Sequence, residues 1–162
     1  DVDETPALLL LSGNALAARE DWFAAQAAYS RLVSRLSFEL DRLPLLLPQE
    51  RPAQGELVEL IMRATNNLGV AWWRLAGRTG DASLRSKAMA SFAESMRYFD
   101  SLERDQATMI KPAVKNLAFL NLDFVLRPQR GIDLAIYPDV PGTIGLLKIV
   151  CYDERGSVVK FG

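Results

Sequence analysis

The chain has 162 residues, 49% hydrophobic and 24% charged, with 19 Lys and Arg against 20 Asp and Glu. That is the composition of one soluble globular domain, long enough to bury roughly 70% of its unfolded surface without a metal or a disulfide. A net charge of −1 gives no basic field for nucleic acid or anionic lipid, the absence of histidine removes the commonest general base and most zinc sites, and the single Cys151 makes no intramolecular disulfide.

Residues 7–18, Ala-Leu-Leu-Leu-Leu-Ser-Gly-Asn-Ala-Leu-Ala-Ala, imitate the apolar run and small-residue cleavage site of a secretory signal. Asp1, Asp3 and Glu4 stand where a signal needs positive charge, and the run is far short of the ~20 residues that span a bilayer, so a helix is expected. A start at Asp1 rather than Met reads as a mature form or an excised piece, and the compartment stays open. Gly13, Leu16, Asp21, Trp22, Ala25, Tyr29 and Leu32 outline two amphipathic helices. The second runs on through Leu40 to Leu43, before a connection carrying Pro44, Pro48 and Pro52.

A second hairpin follows, with Leu68, Gly69, Trp72 and Leu75 on one helix and Ala88, Phe92 and Met96 on the next, which extends through Arg97, Phe99 and Leu102. Gly77-Arg78-Thr79-Gly80-Asp81 reads as the loop between them. Lys115-Asn116-Leu117-Ala118 echoes Asn66-Asn67-Leu68-Gly69, and Arg127-Pro128-Gln129-Arg130-Gly131 ends that pattern, so one capping helix is expected over about 109–126. Beyond it Ile132, Leu134 and Ile136 alternate with Asp133, Ala135 and Tyr137, an extended segment. Residues 146–152 and 157–161 flank Asp153-Glu154-Arg155-Gly156, the pattern of a β-hairpin. A lone hairpin is marginal in water, so it should pack on the helices or on a partner.

The two helical segments resemble the tetratricopeptide repeat, whose pattern runs W-x2-L-G-x2-Y and then A-x3-F. In the first unit, about 6–40, the match is Gly13, Leu16, Ala25 and Tyr29, with twelve residues from Gly to Ala. In the second, about 57–104, it is Leu68, Gly69, Trp72, Ala88 and Phe92; nineteen residues from Gly to Ala imply about seven inserted in the turn. Gly13 and Gly69 are 56 residues apart, against a family period of about 34, so the repeats are irregular.

The resemblance implies an all-α, solenoid-type domain over 1–131, two hairpin repeats and a capping helix, followed by an extended tail with a short β-hairpin over 132–162. It also implies a groove lined by Leu10, Asn14 and Ala17, by Arg63, Asn66, Val70, Trp73 and Arg74, and by Lys115 and Phe119. There Asn66 would meet a peptide backbone, Arg63, Arg74 and Lys115 would meet carboxylates, and Trp73 would be an apolar anchor. Leu10 stands where the family's carboxylate clamp carries Lys, which argues against a chaperone-tail specificity. The function so implied is a non-catalytic protein–protein interaction or scaffold module. The alternatives are a structural subunit docking through its β-hairpin, and a small-ligand domain with a pocket between helices and tail.

Catalytic chemistry finds little support. The carboxylate pairs Glu56/Glu59, Asp100/Glu103 and Asp153/Glu154 fall on expected solvated faces or turns, with Arg or Lys nearby in the sequence. Without histidine a serine nucleophile lacks its usual base, and Gly77-Arg78-Thr79-Gly80 lacks the Gly-Lys-Ser/Thr of a phosphate loop. Cys151 lies in an expected strand and reads as a structural thiol. The expectation is a protein or peptide partner, in a homo-oligomer or a larger assembly, with no cofactor, no metal, no nucleic acid and no membrane insertion.

Overall fold

Pro6 opens the first helix because its fixed φ suits the first helical position, where its missing N–H would have had no partner. Thr5 caps it, Oγ1 accepting from the Leu8 N–H at 3.2 Å. The computed structural model describes residues 5–45, 47, 54–102, 107, 110 and 114, with the backbone of 150–152 and 158–160. Its helices are α1 (Pro6–Ala18), α2 (Trp22–Arg42), α3 (Gln54–Thr79) and α4 (Ala82–Asp100), and a 3-10 turn, Leu43–Leu45, prolongs α2. The helical part is all-α, as its periodicity led one to expect. No helix among the described residues is long and apolar enough to cross a membrane.

Each helix packs on the next in sequence, α1 on α2, α2 on α3 and α3 on α4. The core runs through all four, from Leu9, Trp22, Tyr29 and Leu36 to Ile61, Val70 and Phe92. A second apolar cluster, Val58 and Met62 with Ile110 and Val114, lies beside it. Ser37 Oγ and Tyr98 Oη, 3.1 Å apart, tie α2 to α4.

Both hairpins close by the same contact. A Cβ added at Gly13 would lie 2.6 Å from Tyr29 Cδ1, and one added at Gly69 would lie 2.6 Å from Phe92 Cε1. Both rings are buried, so each glycine is where a helix backbone meets an aromatic face with no room for a side chain.

The seven extra residues of the second hairpin are not loop, which corrects the expectation for Gly77-Arg78-Thr79-Gly80-Asp81. Helix α3 continues through Gly77, Arg78 and Thr79, whose Oγ1 donates to the Leu75 carbonyl at 2.9 Å, and only Gly80 and Asp81 separate it from α4. Gly80, at φ 73°, ends α3 with its N–H on the Ala76 carbonyl. Asp81 starts α4 by accepting from Ser83 N at 2.9 Å and from Ser83 Oγ at 2.7 Å. Seven residues are about two helical turns, one on each helix, so the added length returns the same faces to one another and Gly69 still meets Phe92.

Apart from Ile110 and Val114, the capping helix expected over 109–126, Lys115 and Phe119 included, and the extended segment that follows it lie outside the described residues. Two three-residue strands, β1 (Val150–Tyr152) and β2 (Val158–Lys160), pair antiparallel with Cys151 opposite Val159, and β1 runs against α3. Residues 153–157 between them lie outside the described residues.

Candidate functional site

Helix α3 has α2, α4 and β1 around it, and that arrangement decides where the expected groove residues go. Leu10, Ala17, Asn66 and Val70 are fully buried, and Asn14 and Arg63 nearly so. At these positions the expected open groove is corrected to protein interior. On α3 the physical reason is that a helix packed on several sides leaves little of its circumference to solvent, whatever polar residues it carries; on α1, Leu10, Asn14 and Ala17 lie on the face that packs on α2.

Because those polar groups are inside, they must find partners inside. Tyr29 Oη donates to Asn14 Oδ1 at 2.5 Å, and Asn67 Nδ2 donates to the same oxygen at 3.1 Å. Asn66 Nδ2 donates in turn to Asn67 Oδ1 at 3.3 Å. This chain of amides joins α2, α1 and α3 across the core. Arg63 Nη2 lies 3.3 Å from Glu59 Oε2 one turn earlier, both side chains largely out of water, a pair that orients more than it stabilises. Thr65 Oγ1 and Ser95 Oγ settle on main-chain carbonyls, of Ile61 at 2.7 Å and of Met62 at 2.9 Å. Asn67, which has no role in the expected groove, is the hinge of this network. The signal that could have found it is an amide at a helical position whose period calls for an apolar residue.

The residues that reach the surface gather at one corner. Trp73 and Arg74 are half-buried and line a pocket of about 210 Å³ with Glu20, Trp22, Gly77 and Arg78. The Arg74 guanidinium lies 5.6 Å from the Trp22 ring centre, and Arg85 lies 5.9 Å from that of Trp73. Trp72, a position of the repeat match, packs half-buried against the core, with the Lys87 ammonium 4.6 Å over its ring. Arg78 reaches back to the first hairpin's turn, Nη1 donating to the Glu20 carbonyl at 2.8 Å and Nη2 lying 3.8 Å from Glu20 Oε2. Arg74 and Arg78 are one helical turn apart, so both face this turn. Reading residues 77–81 as loop hid that relation, and Glu20 and Trp22 enter only through the stacking of the two hairpins.

The repeat positions Ala25, Tyr29, Ala88 and Phe92 are buried, as are Gly13 and Gly69, while Leu16 and Leu68 pack partly buried against the same core. Asp81, whose carboxyl is held below the usual carboxylate range by hydrogen bonds from the Ser83 side chain and backbone, serves the start of α4 rather than a site. The chain also holds a Ser-x-x-Lys, Ser157 to Lys160. Its last three residues are strand β2, not the helical turn on which that spacing brings a serine to a lysine base. No protein-family model, curated protein or solved structure matches this chain.

Proposed function

We propose that the chain is a non-catalytic interaction module of tetratricopeptide type, two irregular helical repeats that hold an acidic segment of a partner protein within a larger assembly. The recurrence of one glycine–aromatic contact in both hairpins supports the repeat reading. The observation that carries the function is the corner pocket, where Trp73 and Arg74 stand beside Trp22 and Arg78.

The mechanism is exchange of carboxylates. The Arg78–Glu20 ion pair has side chains 53% and 60% exposed, and such surface pairs are worth about 0–1 kcal/mol. Glu20 therefore stands in, at little cost, for a carboxylate that a partner brings. The incoming acid takes the Arg78 guanidinium, and an adjoining apolar side chain packs on Trp73. At about 210 Å³ the pocket is smaller than the ~300 Å³ at which small-molecule sites begin, which favours one or two side chains of a peptide over a whole ligand.

The test is fluorescence polarisation with a panel of labelled acidic, neutral and basic peptides at low and high salt. Acidic peptides should bind best, weaken in salt, weaken with Arg78→Ala and Trp73→Ala, and tighten with Glu20→Gln. Binding indifferent to peptide charge, or unchanged in all three variants, refutes the assignment. The two-stranded sheet of β1 and β2 favours a second reading, docking by strand addition, in which a β2 deletion rather than a pocket variant abolishes the complex.

A further inference from the structure

We propose that the outer face of α1 is a homodimer interface, across which two copies pack their first helices antiparallel along residues 8, 11, 15 and 18. From Pro6 to Ala18 the helix holds no charged residue. Leu8 and Leu11 are each 44% exposed, and Ala15 and Ala18 are exposed beside them.

The second hairpin shows what such a face is for. When Gly13 is set on Gly69, residues 8, 11 and 15 fall on Ala64, Asn67 and Ala71, all three buried where α3 meets the first hairpin. The same face on α1 is apolar and exposed.

Its occupant follows from shape and charge. The spacing 3, 4, 3 is the seam along which two helices interlock. The seam is bulky in its first half and small in its second. An antiparallel copy, centred on residue 13, sets Leu8 against Ala18 of the second copy and Leu11 against Ala15, so large side chains fill the space above small ones along the whole contact. A two-fold axis brings identical surfaces together, and an uncharged helix does so with no like charges opposed. The helix is about 20 Å long, so the buried area falls at the low end for specific interfaces and association belongs in the micromolar range or weaker.

Sedimentation equilibrium of the full chain, from about 5 to 500 μM around that range, reads this directly. The apparent mass should climb from 18.0 kDa towards twice that value, and Leu8→Glu/Leu11→Glu should hold it at the monomer mass. Both leucines are partly exposed, so the variant keeps its helices, which circular dichroism checks. The register has its own test, in chains carrying Cys151→Ser. An equimolar mixture of Leu11→Cys and Ala15→Cys should form a covalent dimer under mild oxidation far faster than either alone. A wild-type chain that stays monomeric throughout, a dimer that survives the two glutamates, or equal cross-linking in the single variants overturns the proposal. A monomer that instead binds another protein through Leu8 and Leu11 does so as well.

Discussion

One substitution made at two places in the same helix tests the hairpin packing. Gly69→Ala puts a methyl group 2.6, 2.8 and 2.9 Å from Cε1, Cδ1 and Cζ of Phe92. The ring is 1% exposed, so it has no free space to swing into and the helices must part or the ring must leave its rotamer. Gly77→Ala, eight residues along α3, meets nothing within 4 Å. Alanine in a helix interior is better than glycine by about 1 kcal/mol, a gain common to both sites. At Gly69 the overpacking, typically about 1–3 kcal/mol, exceeds that gain.

The expected result is that Gly77→Ala stabilises by about 0.5–1 kcal/mol. Gly69→Ala should destabilise by about 1–2 kcal/mol, the larger overpacking cost less the propensity gain. For a chain of this size each kcal/mol moves the thermal midpoint by about 2–4 °C, so the two variants should separate clearly by calorimetry and by urea unfolding. Gly69→Ala/Phe92→Leu should recover part of the loss, because a smaller, more flexible side chain makes room. If Gly69→Ala stabilises as much as Gly77→Ala, the close approach of α3 to Phe92 is refuted, and with it the equivalence of the two hairpins.

Asn14→Leu should cost about 1–3 kcal/mol, because Tyr29 Oη and Asn67 Nδ2 both lose their common acceptor inside the core. With Tyr29→Phe added, the double variant should lose less than the sum of the singles; strict additivity in urea unfolding would show that the two groups do not act together. Glu20 holds the left-handed conformation at φ 59°, so Glu20→Gly should raise stability by about 1 kcal/mol even though it removes an exposed ion pair. A lowered midpoint would contradict that. The Asp81 carboxyl titrates below the ordinary value, so the folded state holds its anion more firmly than the unfolded chain does, and the cap's contribution is present above the ordinary carboxylate range and fades as pH falls through the lowered value. The Ser83 amide resonance should report that low midpoint in an NMR titration, and a midpoint at or above about 3.9 would refute the cap's hydrogen bonding.

What the sequence determined by itself is local. Helix periodicity, Pro6 and Thr5 at the start of α1, Asp21 accepting from the Ala24 N–H at the start of α2, Asp81 at the start of α4, and small residues opposite Tyr29 and Phe92 lie within one hairpin's reach, where the physics of turns and caps operates. Only the tertiary structure decided which faces were covered. Asn14 and Asn67 meet across 53 positions of chain, and Glu20 meets Arg78 across 58, so no local pattern could tell a solvated amide or guanidinium from one enclosed by neighbouring helices. The same physics explains the misread turn. Gly77 lies in a helix, against its own propensity, because α3 packs on α2 and α4, and an added turn on each helix preserves that packing where a loop would forgo it.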